Sequence, residues 1–303
     1  MRRAIIHVIL SCVVATGVRA EEPVTLHGSS DPLPERVIVL VHGLDEPGTI
    51  WRALIPALVA DGHAVAEIHY ANDQAVARSA DAVAAVLGDL ARRGVRRVDL
   101  IAHSMGGLVC RALIADDARY ADAGAARAGL PAIDRLIMVA TPNHGSELAR
   151  LRALGEAREQ VVRLFTGRAE LGGGWLDGDG AAAADLLPGS DLLRALAAEP
   201  APRDVRVTII AGDASPLDAR ALADAVDWWR DWVDDDAAAQ AWREGLAALS
   251  DGTGDGAVSV ESTRLDHVAD HVVLHGNHLS LLEPLLPGDE PPAIDPIRSR
   301  LRE

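Results

Sequence analysis

The chain has 303 residues, 49% of them hydrophobic and 24% charged, which is enough apolar content for one large buried core or two modest ones. All 29 basic residues are arginine, and 45 acidic residues bring the net charge to -16. That balance argues against nucleic acid and anionic membrane surfaces as electrostatic partners, while leaving open transient contact with a neutral lipid surface.

The N-terminus has the pattern of an export signal. Arg2-Arg3 supply a positive start, Ala4 to Val14 an apolar run, and Val18-Arg19-Ala20 a small-residue cleavage pattern. The run is short for a membrane span, so the expectation is a signal peptide over 1–20 and a periplasmic or secreted protein. Cleavage after Ala20 removes Cys12 and leaves Cys110, read as a small core residue, so an internal disulfide is excluded. A polar leader follows over 21–35, and the folded domain is expected to run from 36 to 303.

Val37-Ile38-Val39-Leu40-Val41 is a continuous β-branched run ending in His42-Gly43, the pattern of a fully buried parallel strand. A helix over Trp51–Ala60, a strand over Ala64–Tyr70 and an alanine-rich helix over Ala75–Arg93 come next. A strand from Val98 then leads to Ser104 and a further helix to about Ala115. Ile133–Ala140 and Val205–Ala211 are two more strands, and Val272–His275 is the last. This alternation predicts an α/β fold, a mostly parallel doubly wound sheet with helices on both faces. Two stretches loosen the pattern, about 145–202 and 216–250, and are expected to be helical, lid-type insertions. The second carries Trp228, Trp229, Trp232 and Trp242, read as a helical pair packing onto the domain, with a lipid-contacting flap as the alternative.

The chemistry is expected at Ala102-His103-Ser104-Met105-Gly106-Gly107, where an apolar strand stops abruptly and a helical period begins. A serine at such a strand-to-helix turn sits on strained backbone with its hydroxyl exposed, while the two glycines allow helix and strand to pack closely. Ala102 stands where the G-x-S-x-G pattern has its first glycine. A serine hydroxyl needs a base, and the base needs an acid to orient it. In doubly wound sheets such groups follow strands, in the chain order serine, acid, histidine. His278, in the turn after Val272–His275, fits the base. His271 and His275 lie before or within the strand, and His103 is expected to point away and pack beside the turn. For the acid, Asp213 ends the Val205 strand and Asp255 sits between Gly254 and Gly256, so two candidates stand. Oxyanion donors are expected from the amide of Met105 and from the turn His42-Gly43-Leu44, through the amide of Leu44.

Taken in order, Leu40-Val41-His42-Gly43-Leu44, Ala102–Gly107, Thr141-Pro142-Asn143-His144-Gly145-Ser146, Asp255-Gly256-Ala257-Val258 and Asn277-His278-Leu279 resemble an α/β-hydrolase. More narrowly they resemble bacterial triacylglycerol lipases and the GPI-inositol-deacylase-like and lecithin:cholesterol-acyltransferase-like esterases. The resemblance implies Asp255 as the acid, His278 as the base and Ser104 as the nucleophile, with Leu44 and Met105 at the oxyanion. It implies no single catalytic role for Thr141–Ser146. Secreted lipases of this type often carry a calcium site and a disulfide; the resemblance assigns no calcium ligands to particular residues here, and the chemistry calls for no metal or organic cofactor. The expected function is a serine carboxylic-ester hydrolase acting on a lipid or fatty-acyl ester. An acyltransferase, thioesterase or amidase would use the same triad, and a non-catalytic lipid- or protein-binding protein could share the fold.

Overall fold

The computed structural model describes residues 22–29, 31–44, 49–116, 129–149, 181–199, 204–215, 236–250, 252–284 and 288–303. The signal-peptide reading of 1–20, the first insertion over 150–180, and Trp228, Trp229 and Trp232 lie outside them.

The β-branched runs fold as strands because alternate side chains can be buried on both faces of a sheet. The strands are β1 (Val24–His27), β2 (Arg36–Val41), β3 (Val65–Ile68), β4 (Arg97–His103), β5 (Ala132–Val139), β6 (Arg206–Gly212) and β7 (His271–Leu274). The helices are α1 (Leu54–Ala60), α2 (Val76–Arg92), α3 (Met105–Ala115), α4 (Ala181–Asp185), α5 (Asp191–Ala198), α6 (Asp236–Ala248), α7 (Val260–Thr263) and α8 (Ile294–Leu301). Val37, Val39 and Val41 join one apolar layer with Leu100 of β4, Leu87 of α2 and Leu108 of α3. Ile38 and Leu40 enter the opposite layer with Trp51, Leu54 of α1 and Ile297 of α8. Cys110 of α3 is buried in the first layer as expected, and burial raises its thiol pKa above the usual range.

The sheet order is β1-β3-β2-β4-β5-β6-β7. β1 is antiparallel to β3, pairing Val24 with Ile68 and His27 with Val65, and the remaining pairings are parallel. The leader reading of 21–35 is corrected here, since Val24–His27 is an edge strand and the domain begins before residue 36. After β3 the chain crosses back over β2 to lay down β4 on its other side. The loops leaving β2 and β4 therefore diverge above their carboxyl ends, and such a switch point opens a crevice. Gly43-Leu44 and Ser104 are the residues that leave those two strands.

The amino-terminal end of the sheet is tied by ion pairs. Asp99 of β4 is buried between Arg36 (2.7 Å) and Arg135 (3.0 Å), and Arg36 also pairs with Asp134. Arg135 is itself buried, so removing the carboxylate leaves an uncompensated guanidinium in the sheet. Asp99→Ala is expected to lower unfolding free energy by about 3 kcal/mol, measured by urea denaturation.

The second half of the first insertion docks on the helical layer. Asp185 of α4 accepts from the amide of Val76 (2.8 Å) at the start of α2, and Leu186, Leu193 and Leu196 are buried. Residues 150–180 of that insertion lie outside the described residues. Of the second insertion, α6 is helical as expected, and 216–235 lie outside. Among the described residues, no helix is long and apolar enough to cross a membrane.

Candidate active site

Ser104 is the residue between β4 and α3, with φ 51° and ψ -127°. A non-glycine residue in the left-handed region costs about 1–3 kcal/mol, so the surrounding structure must impose it. The restraints are visible. The Ser104 amide donates to the carbonyl of Val139 on β5 (2.8 Å), and α3 starts at the next residue. A side chain at Gly106 would meet the carbonyl oxygen of His42 at 2.6 Å, and one at Gly107 would overlap Thr141. The start of α3 thus lies directly against the end of β2 at Gly106 and against the loop after β5 at Gly107, as the two glycines allow.

The structure brings Ser104, His278 and Asp255 together. His278 Nε2 lies 3.0 Å from Ser104 Oγ, and His278 Nδ1 lies 2.9 Å from Asp255 Oδ2. Asp255 is 2% exposed, and its other oxygen accepts from the amides of Ala257 (2.9 Å) and Val258 (2.7 Å). A carboxylate held by such donors is satisfied as an anion in a buried position. The anion requires a proton on Nδ1, which leaves the Nε2 lone pair facing the serine hydroxyl.

The loops carrying acid and base are built locally. Asp255 N–H donates to Val258 (3.0 Å), and Ser259 caps α7 by accepting from the amide of Ser262 (3.1 Å). Asn277 Oδ1 accepts from the amides of Leu279 (3.1 Å) and Ser280 (2.8 Å), an Asx-type turn that sets the backbone beside His278. The two loops meet where His278 N–H donates to the carbonyl of Asp255 (2.9 Å). Asp213, the second candidate acid, is elsewhere: its carboxylate lies 3.0 Å from Nδ1 of the exposed His275.

Leu44 and Met105 lie at the same end of adjacent strands β2 and β4. Met105 opens α3, so its amide is in the first turn, where N–H groups have no intrahelical acceptor. The turn before Leu44 is braced by side chains that sequence reasoning did not single out. Tyr70 stacks on His42 with ring centroids 4.4 Å apart and donates its hydroxyl to the His42 carbonyl (2.5 Å). Asn72 donates to the Gly43 carbonyl (2.9 Å).

Thr141–Ser146 has a structural task. Ser146 Oγ donates to the carbonyl of Ala257 (2.6 Å), His144 N–H donates to Ser262 (3.0 Å), and Ser262 Oγ donates to Gly145 (2.5 Å). Asn143 Nδ2 donates to Thr263 (2.7 Å), while its Oδ1 accepts from Arg111 of α3 (3.0 Å). Burial lowers the Arg111 pKa to about 10, which leaves the guanidinium charged at neutral pH. This segment therefore ties the acid loop to the helix behind the serine. His103 also differs from expectation in its direction: it is buried, but rather than pointing away from the site its Nε2 donates to the carbonyl of His278 (2.8 Å). Among the described residues, no group of three or more His, Cys, Asp or Glu could hold a metal ion.

Residues 16–174, just over half of the chain, match the family described as Domain of unknown function (DUF7379). That match contains Leu44, Ser104 and Met105 and ends before Asp255 and His278. No curated protein sequence matches the chain. Among solved structures, it is similar to the mature form of Bacillus licheniformis lipase BlEst2, with 19% identity and a TM-score of 0.62 over 90% of this chain and 97% of that one. The propeptide form of the same lipase gives 20% identity and a TM-score of 0.60 over 90% of this chain and 53% of that one. The metagenomic carboxyl esterase MGS0156 gives 19% identity and a TM-score of 0.53, covering 87% of this chain and 70% of that one. Identities this low speak for a shared fold. The chain belongs to the family described as Domain of unknown function (DUF7379), and its fold is that of the α/β-hydrolases.

Proposed function

We propose that the protein is a serine carboxylic-ester hydrolase that works through Ser104, His278 and Asp255. The observation that carries this reading is the continuous relay from Ser104 Oγ to His278 Nε2 (3.0 Å) and from His278 Nδ1 to Asp255 Oδ2 (2.9 Å), on a serine with a φ of 51°. His278 Nε2 takes the hydroxyl proton as Oγ attacks the ester carbonyl. The resulting oxyanion accepts from the amides of Leu44 and Met105, each contributing on the order of 3 kcal/mol to the transition state. As the intermediate collapses, the C–O bond to the alcohol breaks and His278 returns the proton to the leaving oxygen. Water, deprotonated by the same imidazole, then hydrolyses the acyl-enzyme and restores Ser104.

A lipid or fatty-acyl ester is the proposed substrate class. The structural neighbours named as a lipase and a carboxyl esterase favour it, and so does an N-terminus of export type, with the periplasm or exterior as the proposed location. Hydrolysis of p-nitrophenyl esters of increasing chain length, compared with emulsified triglyceride, is the test. Turnover that rises with acyl length supports the lipid reading. Turnover confined to acetate points to a small-ester enzyme, and turnover of no ester overturns the proposal.

A further inference from the structure

The relay requires a hydroxyl and an imidazole from positions 174 residues apart to stay 3.0 Å from each other. His278 is held at its ring by Asp255 (2.9 Å), at its amide by the Asp255 carbonyl (2.9 Å) and at its own carbonyl by His103 Nε2 (2.8 Å). The first two ties run to the acid loop. The third runs to β4, the strand that carries the nucleophile, because His103 is its last residue and immediately precedes Ser104.

His103 is wholly buried, with its ring centroid 4.8 Å from that of His278 and the two planes at 51°. A carbonyl oxygen can only accept, so His103 must carry a proton on Nε2 to make this bond. Its side chain lies on the face of β4 that Ile101 presents to the Leu281–Leu282 layer, and that layer begins just after the His278 turn. Strand, imidazole and base loop thus form one packed unit.

We propose that His103 is a positioning residue of this hydrolase: it sets the distance between nucleophile and base by bonding the backbone of His278 to the strand that leads into Ser104. This rests on the serine-hydrolase reading above. With amide and carbonyl both pinned, the His278 ring keeps only its side-chain torsions, and Asp255 fixes the ring's direction. Loss of the carbonyl tie lets the base drift from Oγ, and a displacement near 1 Å in such a pair can cost about 100-fold in rate.

The test compares His103→Gln with His103→Met in the full chain. The two side chains have similar length and volume, but only glutamine offers an N–H near the position of Nε2. For p-nitrophenyl butyrate, His103→Met is expected to lower kcat by roughly 10- to 100-fold with KM little changed, while His103→Gln stays within about threefold of wild type. The downfield proton resonance of His278 Nδ1–H should be sharp in wild type and His103→Gln, and broadened or lost in His103→Met. Equal kcat values and equal resonances in the two variants would overturn the assignment. Should His103→Met not fold, His103→Asn takes its place. Its shorter amide misses the carbonyl, so kcat below that of His103→Gln supports the proposal and equality overturns it. If wild type itself turns over no ester, the hydrolase reading fails, and the Nδ1–H resonance in the same variants still decides whether His103 positions His278.

Discussion

Ser104→Ala is expected to lower kcat/KM for a soluble ester by on the order of 10⁴- to 10⁶-fold. The substitution removes the atom that forms the acyl bond, while the oxyanion amides remain, so a residual rate above water is expected. Alanine keeps the backbone strain, since φ at this position is 51° whatever the side chain, and it loses only the bond between Oγ and His278 Nε2. Thermal unfolding should therefore remain cooperative with a midpoint near that of wild type. Steady-state hydrolysis and a thermal melt on the same sample separate a missing nucleophile from a damaged fold. Activity retained at wild-type level would remove Ser104 from the chemistry.

Asp255→Asn is the second large effect, with an expected fall in kcat of about 10⁴-fold. The reason lies in the donors around the carboxylate. Ala257 and Val258 present two N–H groups to Oδ1, so the asparagine oxygen must take that position and its NH₂ must face His278. An NH₂ beside Nδ1 turns that nitrogen into an acceptor and moves the imidazole proton to Nε2. The base then presents N–H to Ser104 and cannot receive its proton. Asp213→Asn disturbs only a pair with the exposed His275 and is expected to leave kcat within about threefold of wild type. The two variants, assayed together, decide between the two acids. Loss of activity in Asp213→Asn and not in Asp255→Asn would reverse the assignment.

Much of this architecture is legible in the chain because its signals are local. The run Val37–Val41 and the strand before Ser104 are apolar on both faces, and only a sheet covered on both sides satisfies that pattern. The serine turn announces itself through the switch of period at Met105 and the small residues at 106 and 107. What the sequence hides is non-local. Val24–His27 is too short and too polar in its surroundings to mark a strand, and it becomes one by pairing with β3. The role of Ser146 depends on Ala257, 111 positions away, and that of His103 on His278, 175 positions away. Two acids flanked by similar turns also read alike, whereas three dimensions place one beside His278 and the other beside His275. Tyr70 and Asn72 brace the turn before Leu44 only because β3 lies next to β2.

The claim beneath all of these expectations is that the Ser104 hydroxyl is made nucleophilic by the neighbouring imidazole. A serine-directed fluorophosphonate, followed by peptide mapping, measures that reactivity without any assumption about acyl length or head group. One adduct on Ser104 in wild type, greatly slowed in His278→Ala, is the expected pattern. A wild-type protein that stays unlabelled at Ser104 while correctly folded, or one labelled equally fast without His278, would show that the arrangement above the sheet is not a catalytic one.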